Sequence, residues 1–237
     1  MILTKEEYLK LYNQHEKPAS TIFHKYISKN LARFFTFFFL RYRITPNTIS
    51  FLTLLLVSIS VFSLLFVDGL ASQIAFLILL QVSYAFDCSD GVVARITGKT
   101  SAFGAFFDIT LDRINVMILY SGLGIYININ NDISLLENTI FLFSAIFYYQ
   151  YQVMALLRAN YFSELNGFMK KQSNQSMKKN LVLYLYEFID TGIFFFIISI
   201  SIIFNFLFYA IIFYGFIGFV LCIALYVFLY QSSRDND

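Results

Sequence analysis

Tryptophan is absent from this 237-residue chain, and proline, histidine and cysteine occur only twice each. Each scarcity excludes something. Cys88 and Cys222 lie far apart in apolar sequence, so neither a disulfide framework nor a cysteine metal site is expected. His15 and His24 have no ligand partner at helical spacing and read as ordinary surface residues. Few prolines leave long helices uninterrupted. Charge is also scarce, at 14% of residues, where a soluble domain carries about 25%. The formal net charge of +2 is close to neutral and by itself says nothing about nucleic acid; no nucleic-acid partner is expected. The first twenty residues contain no apolar core followed by a small-residue cleavage site. The first spanning helix is therefore expected to act as its own insertion signal.

What the chain does have is apolar length. Hydrophobic residues make up 58% of it, with 30 phenylalanines. A bilayer-crossing helix needs roughly 20 apolar residues, and six such runs occur. They cover about Ile49–Val67, Ser72–Phe86 with a polar extension to Thr97, Ala102–Ile127, Thr139–Tyr161, Leu181–Phe204 and Leu207–Leu229. Basic and non-basic connections alternate. Arg41 and Arg43, then Arg95 and Lys99, then Lys170, Lys171, Lys178 and Lys179, then Arg234 fall on one side. The connections holding Asp68, then Asp132 and Glu137, then Asn205 have no Lys or Arg. The positive-inside rule then places both termini in the cytoplasm.

Residues 1–45 form a separate piece ahead of a transmembrane domain over 46–237. Ser20–Leu40 mixes apolar residues with His24, Lys25, Lys29 and Arg33, the pattern of an amphipathic helix lying on the inner membrane face. The alternative is a helix packed on the bundle. The expected fold is thus an all-α integral membrane bundle of six transmembrane helices, preceded by an amphipathic interfacial helix.

Ionisable residues inside apolar helices are costly and mark function by default. Here they cluster. At about 100° per residue, Asp87, Asp90, Gly91, Ala94 and Arg95 share one face of the second span. Gly104, Asp108 and Asp112 form a stripe on the third. The short segment between Arg95 and Gly104 makes the two helices antiparallel neighbours. The carboxylates can then converge just inside the cytoplasmic boundary. Oxygen-only ligands suit a hard divalent cation. On this geometry alone, a metal-dependent phosphate site and an ion-conducting site weigh equally, and salt bridges with Arg95 and Arg113 are a third reading.

The residues fit D-x2-D-G-x2-A-R-x8-G-x3-D-x3-D at all eight specified positions across 26 residues. This resembles the CDP-alcohol phosphatidyltransferase family, and Thr45-Pro46-Asn47-Thr48 looks like that family's entry to its first helix. The resemblance implies transfer of a substituted phosphate from a CDP-linked donor to an alcohol, with release of CMP. It implies that Asp87, Asp90 and Asp108 hold one or two divalent cations, Mg2+ or Mn2+, that Asp112 is the general base, and that Asp112 also touches a metal. Asp90, Gly91, Ala94, Arg95 and Gly104 would lie against the donor. Arg158 and Asn47 are candidates for the acceptor. The implied partners are a CDP-linked lipid or CDP-alcohol, a small polar alcohol and membrane lipids; homodimers are common in the family. The leading expectation is a phosphatidyl group moving from CDP-diacylglycerol to a small alcohol. Alternatives are a soluble CDP-alcohol acting on a lipid hydroxyl, and a cation channel or transporter.

Overall fold

The structure is a computed structural model that describes residues 5–16, 23–131, 133–161 and 191–234; side chains at 5, 155–161 and 228–234 lie outside the described set. Turn chemistry divides the described chain into helices. Helix α1 covers Lys5–His15, and α2 covers Lys29–Arg41 after a π-helical turn at His24–Ser28. Helices α3, Pro46–Phe66, and α4, Leu70–Thr97, follow. Then come α5, Ala102–Asn130, and α6, Leu135–Tyr161. The last described pair is α7, Thr191–Ile203, and α8, Leu207–Arg234. No strand occurs among the described residues.

The start of α3 shows how local sequence sets an end. Thr45 is extended, its hydroxyl accepts from the Thr48 N–H at 3.4 Å, and Pro46 takes the first helical position, where a missing N–H costs nothing. The helix therefore begins three residues before the apolar run does. At α6, Ser134 and Glu137 form a reciprocal capping box. Glu137 Oε2 accepts from the Ser134 N–H at 2.7 Å, and Ser134 Oγ accepts from the Glu137 N–H at 3.2 Å. These hydrogen bonds hold the exposed Glu137 carboxyl below its usual range.

The chain forms two compact units. The first comprises Met1–Tyr126 and Glu187–Phe204, and the second Ile127–Tyr186 and Asn205–Asp237. In the first, α4 is the central element, and α1, α2, α3 and α7 pack against it. In the second, α6 packs on α8.

Polarity runs opposite to that of a protein made for water. On α3, Phe51, Leu55, Ile59, Phe62 and Phe66 form an exposed stripe, while Ser50, Thr53 and Ser60 are buried with Ile49, Val57 and Leu64. Small hydroxyl residues allow helices to approach closely in a bilayer. Their hydroxyls are satisfied locally by the preceding turn: Ser60 donates to the Val57 carbonyl at 2.7 Å and Thr53 to that of Ile49 at 3.2 Å. Ser89 adds a bond across helices, from α4 to the Ala32 carbonyl of α2 at 3.1 Å. Helix α2 buries Ala32, Thr36 and Phe39 and leaves Phe34 and Phe38 exposed.

Three helices, α3, α4 and the Leu207–Val227 part of α8, are long and apolar enough to cross a membrane. Helices α5 and α6 run for 29 and 27 residues. Helix α7 is a shorter apolar helix of 13 residues, and the first part of the fifth expected span, 181–190, lies outside the described residues, as do Asp132, Lys170, Lys171, Lys178 and Lys179.

Two glycines mark the tightest approaches. A Cβ on Gly215 of α8 would overlap the backbone of Ser144 on α6, whereas one on Gly122 of α5 would overlap only the side chain of Val61 on α3. Gly215→Ala is therefore expected to lower the melting temperature in detergent. Overpacking of about 1–3 kcal/mol outweighs a helix-propensity gain of about 1 kcal/mol. Gly122→Ala should be rescued by Val61→Ala, and a Gly215→Ala melt at or above wild type would refute this packing.

Candidate active site

Helices α4 and α5 are joined by residues 98–101 alone, and the turn is built from their chemistry. Gly98 ends α4 in the left-handed region, at φ 65°, where glycine is favoured for lack of a Cβ. The Lys99 N–H returns to the Ala94 carbonyl at 2.9 Å, closing the helix as a Schellman-type cap. Ser101 then caps α5, its hydroxyl accepting from the Gly104 N–H at 2.9 Å. Of the eight motif positions, Ala94, Gly104 and, through its carbonyl, Arg95 thus take part in the turn that holds the hairpin together.

That hairpin brings the acidic stripes together. Asp87 and Asp90 of α4 and Asp108 of α5 each offer one carboxylate oxygen, all within 4.8 Å of one another. Asp112, one turn beyond Asp108, lies within hydrogen-bond reach of Asp87. Asp108 stands in the same relation to Asp90. Asp90 is 5% exposed, and the other three are half-buried. Four acids so close together cannot all carry charge without a counterion. An all-oxygen set of this density fits a hard divalent cation. Asp87, Asp90 and Asp108 form the ligand-like group, with Asp112 beside it.

Helix α3 supplies a third wall. Ser50 Oγ donates to Asp90 Oδ2 at 2.6 Å. Sequence reading missed Ser50. Its signal was slight, a serine one turn after Asn47 at the mouth of an apolar span. Asn47 comes to the same end: its Oδ1 is 3.5 Å from where a Cβ on Gly104 would sit, and Ser101 Oγ is 3.1 Å from that point. A Cβ at 104 would therefore crowd Ser101 and rest in ordinary contact with Asn47.

Among the described residues, Arg95 makes no ion pair with the acids. Its Nε donates to the carbonyl of His15 at 2.6 Å, and its Nη1 is 3.2 Å from a Cβ built on Gly91. His15, read from sequence as an ordinary surface residue, thus closes α1 against the motif helix through its backbone. Helix α1 itself was not foreseen. Arg113 Nε is buried with no hydrogen-bond partner among the described residues. Arg158 belongs to α6, but its side chain lies outside the described set.

The model of the CDP-alcohol phosphatidyltransferase family matches residues 43–230 of the chain, in agreement with the resemblance carried by the motif. Three relatives match shorter stretches. An uncharacterized protein of Aquifex aeolicus is 37% identical over 89 residues, 38% of this chain and 43% of the relative. An archaetidylinositol phosphate synthase of Pyrococcus horikoshii is 34% identical over 82 residues, 35% of this chain and 42% of the relative. One of the same name from Aeropyrum pernix is 42% identical over 52 residues, 22% of this chain and 27% of the relative. The matched stretches thus span less than half the length of each relative.

Crowding of like charges makes a stability prediction. In chelator, Asp90→Asn is expected to melt higher than wild type, because it removes one charge while an amide oxygen still accepts from Ser50. A coupling worth one pKa unit amounts to about 1.4 kcal/mol. In millimolar Mg2+ the order should reverse. An Asp90→Asn melt below wild type in chelator would show that the acids do not repel one another.

Proposed function

The chain belongs to the CDP-alcohol phosphatidyltransferase family, and on that premise we propose that it transfers a lipid-linked phosphate from a CDP-linked lipid to a small polar alcohol, releasing CMP. The observation that carries this reading is the convergence of Asp87, Asp90 and Asp108 within 4.8 Å, with Asp112 against them. The helices are membrane-spanning in this reading: six spans, both termini and the site at the cytoplasmic face, and α2 at the inner interface. A lipid-linked donor would keep its tails among the exposed apolar side chains and present its nucleotide at the site.

Asp87, Asp90 and Asp108 would hold one or two divalent cations, Mg2+ or Mn2+. A bound cation would neutralise charge on the donor diphosphate and on the departing CMP. The remaining work falls to side chains. Ser50 fixes the orientation of Asp90 through its hydrogen bond. Asp112 accepts the proton of the acceptor hydroxyl. As that proton leaves, the hydroxyl oxygen bonds to the lipid-bearing phosphorus. The bond from that phosphorus to the bridging diphosphate oxygen breaks, and its electron pair leaves on CMP. Ala94 and Gly104 keep the helix faces low, so that the nucleotide can lie against them, and Gly91 leaves space for the Arg95 guanidinium beside it. Arg95 would contact the diphosphate. Asn47 stands at the Gly104 end of the site, and Arg158 is the second acceptor candidate.

The names of two relatives point to an inositol phosphate as the acceptor to try first, with glycerol phosphate and serine beside it. The test is CMP release by purified protein in liposomes with CDP-diacylglycerol or CDP-archaeol and each acceptor. Release is expected to require Mg2+ or Mn2+, to stop in chelator, and to fall about 10²–10⁴-fold in Asp112→Asn. CMP formed only from a soluble CDP-alcohol would reverse the roles of donor and acceptor. Absence of CMP with every pair, together with cation flux, would replace the enzyme reading with a channel. A second measurement addresses Ser50. Ser50→Ala is expected to weaken Mn2+ binding about 10–100-fold, the usual effect of removing a group that orients a metal ligand, and unchanged binding would remove Ser50 from the site.

A further inference from the structure

Helix α1 is rich in polar residues, yet it is docked firmly. Tyr8 and Tyr12 are 3% and 1% exposed and cluster with Val92 of α4, with Leu9, Phe37, Leu40 and Ile96 around them. The Tyr8 hydroxyl donates to the Arg33 carbonyl, and that of Tyr12 to the Lys29 carbonyl at 3.4 Å. Burial pushes both phenols above their usual range, so both remain protonated donors. Lys29 pairs with Glu16 just past the end of α1, and the Arg33 guanidinium lies 5.2 Å from the Tyr12 ring centre. These contacts set the position of the α1 C-terminus.

That terminus meets Arg95. The last carbonyls of a helix lack intrahelical partners and carry the negative end of its dipole, which suits a guanidinium. Arg95 Nε takes the His15 carbonyl at 2.6 Å. The rest of the group turns back along α4, with Nη1 and Nη2 3.2 and 3.8 Å from a Cβ built on Gly91. Gly91 is the immediate neighbour of Asp90. Among the described residues, the His15 carbonyl is the hydrogen-bond acceptor that Arg95 has. One donor therefore anchors the group, and the planar pair of terminal nitrogens lies beside Gly91, the neighbour of Asp90.

We propose that α1 is a working part of the donor site: its C-terminal carbonyl holds Arg95 against Gly91 so that both terminal nitrogens are presented to the diphosphate of the CDP-linked donor. This rests on the function proposed above and adds that a segment ahead of the family-matched region, which begins at residue 43, contributes to substrate affinity. Arg95 touches the donor; Tyr12 and the His15 backbone are positioning groups. A free arginine side chain loses its rotamer freedom when it grips a phosphate, and one already held loses less. Two N–H groups in a plane match two phosphate oxygens.

The experiment is a double-mutant cycle. Tyr12→Ala undocks α1, and deletion of residues 2–16 removes it. Each is made with and without Arg95→Ala, and variants that are monodisperse in detergent are carried forward. CDP binding is measured by calorimetry, and CMP release gives KM for CDP-diacylglycerol, KM for the acceptor, and kcat. Undocking α1 is expected to weaken CDP binding and raise donor KM about tenfold, equivalent to ordering one long side chain. Acceptor KM should stay within about twofold, a split that a general loss of packing would not produce. In the Arg95→Ala background, undocking should change neither quantity further, and Tyr12→Phe should restore wild-type behaviour. Unchanged CDP binding in Tyr12→Ala overturns the proposal, as does a loss of the same size when Arg95 is already absent. Wild-type protein that binds CDP in an α1-dependent way but releases no CMP would retain the clasp and refute the transferase reading. Wild-type protein that releases CMP with no α1 dependence would do the reverse.

Discussion

Four carboxylates gathered among apolar helices impose the constraint that the rest of the structure answers. Charge is costly to remove from water, and like charges at this spacing raise the cost further. The surroundings reduce it in particular ways. The Gly98–Ser101 turn is short enough to bring two helices side by side and is capped at both ends. Ser50 reaches across from α3 to satisfy one oxygen of the most buried acid, Asp90. The remaining charge is suited to a divalent cation, which this all-oxygen set fits. A site that is costly when empty is well matched to a charged ligand, because binding relieves the repulsion that folding left in place.

Around this centre the fold reverses the ordering familiar from water. The outward stripe of α3 is aromatic and aliphatic, and its inward face carries serine and threonine. Apolar burial contributes little between helices already surrounded by lipid, so close backbone approach and satisfied hydroxyls take over as the basis of packing. Ser89 bonded to α2 and Gly215 set against the Ser144 backbone are two instances, one in each unit. The same logic explains why small residues recur in the motif. On α4 Gly91 leaves space for the Arg95 guanidinium, and on α5 Gly104 packs beside Ser101 and Asn47.

Much of this was legible in the residues alone. Helical periodicity placed Asp87 and Asp90 on one face and Asp108 and Asp112 on another, and the short spacing between Arg95 and Gly104 made the helices neighbours. The structure brings these acids together, and the match to the family over residues 43–230 agrees with the motif. The start of α3 was also marked, by Thr45 and Pro46, although the helix begins before the apolar run. Less visible were α1 and Ser50. Apolar periodicity is the main signal for a helix, and α1 buries only a few aromatic residues between charged ones. Ser50 looks like any small residue of a span until its partner, forty positions away, is known.

The sequence by itself determined the long apolar helices, which faces carry the acids and which donor atoms they offer, because caps, turns and the 3.6-residue repeat act over a few neighbouring residues. Only the tertiary structure decided what the acids and Arg95 meet. Ser50 on Asp90, Asn47 beside Gly104, and the His15 carbonyl on Arg95, 80 residues apart, depend on how whole helices pack. Two of these contacts involve backbone atoms or a backbone position, which every residue type shares. Local pattern cannot distinguish such partners, and the physical reason is that their selection lies in the docking of surfaces rather than in the identity of either residue.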